Sequence, residues 1–165
     1  MLFNVSQLLR SEVGASRRYE LEPEPPVLRG RVELIRTPDG VLVRCDADVA
    51  LEAECARCVA AYGYLGSIGF EEVYVSQLDP SSGKRIEPED PDAFLIGLDN
   101  SIDIREAVRQ YSEMAAEMQP LCRPDCPGIC PICGTDMSIA PCQCDRTPID
   151  PRWEALVALK RKSNG

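Results

Sequence analysis

From Val41 to Cys55 every odd position is apolar, and most of the even positions are charged. The odd positions read Val, Val, Cys, Ala, Val, Leu, Ala, Cys, and the even ones Leu, Arg, Asp, Asp, Ala, Glu, Glu. A period of two sustained this long predicts a strand with one buried face and one wet, mostly acidic face. Before it, Gly30–Arg36 reads as a shorter strand, and Thr37-Pro38-Asp39-Gly40 supplies the reversal because proline presets φ and Asp-Gly tolerates the turn. After it, Cys55-Ala56-Arg57-Cys58 forms a turn and Tyr62–Val75 a returning strand around Ile68, Phe70, Val73 and Tyr74.

The period changes at Asp103. Ile104, Val108, Tyr111, Ala115 and Met118 recur at helical spacing, so a helix is expected over 103–119, with Asp103 and Glu106 as a capping box and Pro120 as its end. A second helix is expected from Asp150 to about Lys162: Asp150 caps, Pro151 takes the first helical position, and Trp153, Leu156 and Val157 form an apolar face. Residues 1–20 form a short amphipathic opening anchored by Phe3, Val5, Leu8 and Leu9. Glu22-Pro23-Glu24-Pro25-Pro26 is an extended connector, and Gln77–Asn100 an acidic surface loop broken by Phe94-Leu95-Ile96. The fold class is α+β: an antiparallel β-sheet or small barrel with two packing helices and a C-terminal cysteine-rich zinc module. The expected division is an acidic β-rich domain over 1–120 and a zinc-binding module with the terminal helix over 121–165.

Composition narrows the chemistry. The 165 residues carry a net charge of −9, and the charge is segregated: residues 121–165 have a net of +1, the first 120 a net of −10. A generic nucleic-acid sleeve should be basic, so the field favours a basic protein partner. The chain contains no histidine, which excludes Ser-His-Asp and Cys-His catalysis and mixed Cys/His zinc sites. A non-enzymatic protein is expected. The opening residues lack the pattern of an export signal and there is no long apolar run for a membrane span, so a reducing cytoplasm is the expected location.

In that compartment nine cysteines point to metal. Cys130-Pro131-Ile132-Cys133-Gly134 has the form of a zinc knuckle: two intervening residues let both thiolates converge on one ion, and the glycine releases the backbone. Structural zinc needs four ligands. Cys142 and Cys144 are the first choice for the second pair, and Cys122 with Cys126 the alternate. Six thiols for four positions also admit two ions with bridging sulfurs, or an iron–sulfur cluster. Cys55 and Cys58 form a further pair, open to a second zinc site, a redox role, or a turn that packs or binds a partner. Cys45 reads as a small core residue. Asp46, Asp48, Glu52 and Glu54 on the wet side of the long strand, with Arg57 in the turn, are the candidate partner-binding residues. Lys160-Arg161-Lys162, with Arg146 and Arg152, offers a basic end for contact with RNA phosphate.

Four blocks together resemble the YceD family of large ribosomal RNA subunit accumulation proteins. They are Phe3-Asn4-Val5-Ser6-Gln7-Leu8-Leu9, the Cys55-Ala56-Arg57-Cys58 turn, Cys126-Pro127-Gly128-Ile129-Cys130-Pro131-Ile132-Cys133-Gly134 leading to Cys142-Gln143-Cys144, and Ile149-Asp150-Pro151-Arg152-Trp153-Glu154-Ala155-Leu156. Pro127, Ile129 and the Thr135-Asp136-Met137-Ser138 turn depart from the family's usual residues, and none of these departures touches a thiol. The resemblance implies a non-catalytic role in ribosome biogenesis, with metal supporting the fold. The expected partner is a basic ribosomal protein or a large-subunit precursor. The competing expectation is a redox-sensitive zinc chaperone or thiol sensor.

Overall fold

The computed structural model describes residues 1–78, 84, 85, 90–144 and 152. The alternating segment is the long central strand of a sheet. In chain order the elements are β1 (Leu2–Asn4), α1 (Ser6–Leu9), β2 (Ser16–Leu21), β3 (Val27–Arg36), β4 (Gly40–Glu54), β5 (Ala61–Ser76), β6 (Leu95–Ile96), β7 (Ser101–Asp103) and α2 (Arg105–Met114). The five-stranded sheet runs β2-β3-β4-β5-β6, antiparallel except for the parallel β5–β6 pair, while β1 and β7 form a separate two-stranded ribbon. Among the described residues no pairing joins β2 to β6, so the sheet is open rather than a closed barrel.

Val41, Val43, Cys45, Ala47, Val49 and Leu51 line one face of β4 and meet Val32 and Leu34 of β3 and Ile68, Phe70 and Tyr74 of β5. Period-two side chains place all of these on one side, where Val5, Leu8, Ile102, Ile104, Ala107 and Val108 cover them. The Phe70 and Tyr111 rings stack with centroids 4.8 Å apart, and the Tyr111 hydroxyl donates to Glu72 at 2.6 Å, seating α2 on the sheet. Arg36 is buried at the β3–β4 turn, donating from Nη1 to the Gly40 carbonyl at 2.9 Å and from Nε to the Leu9 carbonyl at 3.2 Å. A buried cation held by carbonyls pins the turn that the sequence signals.

Several expectations need correction. The helix expected over 103–119 is Arg105–Met114. Asp103 belongs to β7 and pairs with Leu2, while its carboxylate accepts the Arg105 N–H at 3.1 Å. Glu106 closes no capping box. It bonds Arg109 and Gln110, which hold its carboxyl down to about 2. Beyond Met114 the periodic stripe finds nothing among the described residues to bury against, and Met118 is fully exposed. The opening 1–20 contains β1, α1 and β2, and Leu95–Ile96 within the acidic loop adds a short strand to the sheet. The helix expected at 150–162 lies outside the described residues apart from Arg152. Among the described residues, no helix is long and apolar enough to cross a membrane.

The chain divides into two compact units. One is Met1–Glu54 with Ala61–Pro120; the other is Cys55–Ala60 with the chain from Leu121. The β4–β5 connection thus belongs with the cysteine-rich segment. Charge is divided across the sheet as well. Strands β2 and β3 carry Arg17, Arg18, Arg29, Arg31 and Arg36 against only Glu20 and Glu33. Strands β4 and β5 carry Arg44 alone against Asp46, Asp48, Glu52, Glu54, Glu71 and Glu72.

Candidate metal centre

All eight cysteines outside the sheet gather into two tetrads, Cys55, Cys58, Cys122 and Cys126, and Cys130, Cys133, Cys142 and Cys144. Within each, the four sulfurs lie within 4.8 Å of one another. A tetrahedral ion with Zn–S bonds of about 2.3 Å sets its sulfurs about 3.8 Å apart. The Cys55–Cys126 and Cys58–Cys122 sulfurs are 3.8 and 3.7 Å apart, so this donor set fits such an ion.

The two Cys-x-x-Cys loops are built alike. Cys130 N–H donates to the Thr135 carbonyl and Gly134 N–H returns to the Cys130 carbonyl, both at 2.8 Å. Cys55 N–H donates to the Ala60 carbonyl and Val59 N–H to the Cys55 carbonyl, both at 2.9 Å. In each loop the residue after the second cysteine has positive φ, +73° at Gly134 and +60° at Val59. Valine there is strained, because its branched Cβ crowds the carbonyl that glycine leaves free. We therefore expect Val59→Gly to stabilise the fold by up to about 1 kcal/mol, the relieved strain exceeding glycine's extra chain entropy. Thermal unfolding of the metal-loaded protein checks it.

Links between segments complete the first tetrad. The Arg57 carbonyl accepts Ile129 N–H at 3.0 Å, and the Arg57 guanidinium donates to the Cys126 carbonyl at 3.0 Å. Gly128, at φ +75°, lets the backbones close: a Cβ there would sit 2.9 Å from the Arg57 carbonyl oxygen. Met137 N–H donates to the Gly128 carbonyl at 3.0 Å and ties in the second knuckle.

The thiols resist ionising together. Cys55 is held down to about 6, chiefly by the Cys122 backbone N–H, while burial and then the neighbouring thiols push Cys122 up to about 12. Cys133 is lowered first by the Thr135 hydroxyl, and Cys144 is pushed up to about 12, first by Cys133. Four sulfurs so close tolerate one negative charge far better than four, and a divalent cation removes that conflict. With all four positions filled by protein, an ion held there would have no open site for substrate and would hold chain segments together.

Cys45 stands apart in the sheet core, its thiol pushed up to about 11 by burial. The candidate partner-binding residues divide. Asp48 accepts Arg29 Nε at 2.6 Å and Asp46 lies 3.4 Å from Arg31, so these two are engaged across strands. Glu52 and Glu54 are exposed, with no ion-pair partner among the described residues. Arg57 is committed to the first knuckle. Of the basic end, only Arg152 lies among the described residues, where it is exposed.

A two-tetrad protein built on an open antiparallel sheet narrows the class, and comparison with known proteins names it. The family model for the large ribosomal RNA subunit accumulation protein YceD matches residues 43–160, and the chain belongs to that family. It is 30% identical over 129 residues to the uncharacterized proteins Mb2951c of Mycobacterium bovis and Rv2926c of Mycobacterium tuberculosis. It is 31% identical over 131 residues to the uncharacterized protein ML1660 of Mycobacterium leprae. Each alignment covers 78% of this chain, which spans 59% of the length of the first two relatives and 56% of the third. No solved structure matches.

Proposed function

We propose that this chain is a non-catalytic assembly factor of the large ribosomal subunit that promotes accumulation of its RNA, working in the cytoplasm with two structural zinc ions. The observation that carries the reading is the family match over residues 43–160, which takes in most of the sheet and both tetrads. The donor chemistry agrees with it: two all-thiolate sites suit an ion that folds chain rather than one that activates water. Cys130, Cys133, Cys142 and Cys144 would hold one zinc, and Cys55, Cys58, Cys122 and Cys126 the other.

The charge division supports a basic partner. A ribosomal protein free of RNA is cationic, and the β4–β5 half of the sheet offers the opposite sign. Glu52 and Glu54 are the acids on that half left available for it. Binding keeps such a protein in solution until RNA, with its denser charge, takes it over.

The test is crosslinking and co-sedimentation of the tagged protein in lysate while salt is raised. Ribosomal proteins or large-subunit precursors should be recovered at low salt and fall away as it rises. Recovery of nothing ribosomal at low salt would overturn the reading.

A further inference from the structure

Among the described residues, the outer edge of β5 is a long open hydrogen-bonding ladder. Strand β5 pairs with β4 in unbroken register from Gly40↔Val75 to Glu54↔Ala61. On its other side, among the described residues, it is paired only at Val75 and Ser76, by β6. The Val75 N–H donates to the Phe94 carbonyl at 2.8 Å on that outer side. Backbone groups alternate sides along a strand, so the odd residues from Ala61 to Val73 also direct N–H and C=O outward. Natural sheets protect such edges with lysine, proline or a bulge. This stretch has no lysine, no proline and no register shift.

What lies above the edge is acidic. The solvent-facing residues of β5 opposite Glu54, Glu52 and Asp46 are Ala61, Gly63 and Gly69. These small residues leave the Glu52 and Glu54 carboxylates uncovered from the β5 side. Asp46 Oδ1 lies 3.4 Å from where a Gly69 Cβ would stand. Between them Leu65 is 78% exposed, an apolar contact in the middle of the row.

We propose that the β5 edge between Ala61 and Val73 is a docking strand that captures an extended segment of a basic protein by strand addition. The segment's backbone completes the open ladder, and its lysines or arginines on the solvent face reach the Glu52 and Glu54 carboxylates. A second copy of this chain is the poorer occupant, since pairing two β5 edges would bring like charges together. The inference deepens the reading above and rests on it only in naming where the basic segment comes from.

The probe is an acetylated, amidated peptide of five Lys-Thr repeats, with a Glu-Thr peptide as control, titrated onto the full metal-loaded chain. The lysine peptide should bind, lose affinity as salt rises, and slow hydrogen exchange at Gly63, Leu65, Ser67 and Gly69. Ser67→Pro removes one outward N–H while leaving the β4 side intact, and should weaken binding about tenfold or more. The Glu52→Lys/Glu54→Lys double variant changes only exposed charges and should weaken it about tenfold. If Ser67→Pro does not fold, the double variant and the exchange pattern decide.

Unchanged affinity in the variants would overturn the proposal, as would protection at β2 instead, or absence of lysine-peptide binding. So would a concentration-dependent dimer that protects the same amides without peptide. No ribosomal component enters this assay, so it fails or succeeds independently of the assembly role.

Discussion

Stripping metal from the full chain with a strong chelator should unfold the cysteine-rich unit while the sheet stays folded. The two units have separate fates because the sheet has its own buried core, from Val5 to Val108, whereas among the described residues of the other unit the buried side chains are the ligand cysteines Cys55, Cys126 and Cys130. Thiolate–metal bonds supply what that unit lacks in apolar burial; structural zinc contributes about 10–16 kcal/mol in comparable small modules. Elemental analysis should find two metal ions per chain. Cys126→Ser should leave one, with affinity at its own tetrad falling by more than about a hundredfold, a larger loss than an outer-shell change causes. Cys45→Ala should leave both ions in place, because Cys45 belongs to the sheet core. Strand circular dichroism should persist through chelation. One ion in the unaltered protein, or loss of the strand signal along with the metal, would refute the two-tetrad arrangement.

Gly128→Ala should weaken the first metal site strongly although it removes no ligand. It meets two costs together. An L-residue at φ +75° is strained by about 1–2 kcal/mol, and the new Cβ would press on the Arg57 carbonyl oxygen, a backbone atom that cannot swing aside. The Ile129–Arg57 and Met137–Gly128 hydrogen bonds depend on that close approach. A total of about 2–4 kcal/mol is expected, read as a lower chelator concentration for metal release from the first tetrad. Gly134→Ala is the internal control. Its φ of +73° is similar, but a Cβ there meets nothing within 4 Å, so only the strain of about 1–2 kcal/mol applies. Equal effects from the two substitutions would show that the Arg57–Gly128 contact does not hold the site together.

The contrast between these glycines also explains what was legible in the sequence. Strands β4 and β5 were plain, because their alternation is long and one face is wholly buried. The knuckle at Cys130 announced itself through Gly134. The knuckle at Cys55 has the same hydrogen bonds but presents Val59 where the pattern asks for glycine, so its kinship was hidden. The partners of Cys55 and Cys58 were equally hidden. These two, at the end of one hairpin strand, meet Cys122 and Cys126 more than sixty residues later, a long-range fact that spacing does not carry. Strands β1, β6 and β7 are two or three residues long, too short to show a period at all.

The wet face of β4 was legible as a pattern and misleading as a charge. Asp46 and Asp48 looked as available as Glu52 and Glu54 in the sequence. Cross-strand geometry sets Arg31 and Arg29 beside the first two, while the second two face Gly63 and Ala61. Pairing register, rather than composition, decides which acids are left to meet a partner.

The most direct test of the assembly role is the ratio of large- to small-subunit ribosomal RNA in cells depleted of this protein. The account predicts that the ratio falls on depletion, recovers with the unaltered chain, and recovers poorly with Cys126→Ser. A ratio that stays unchanged when the protein is gone would contradict it.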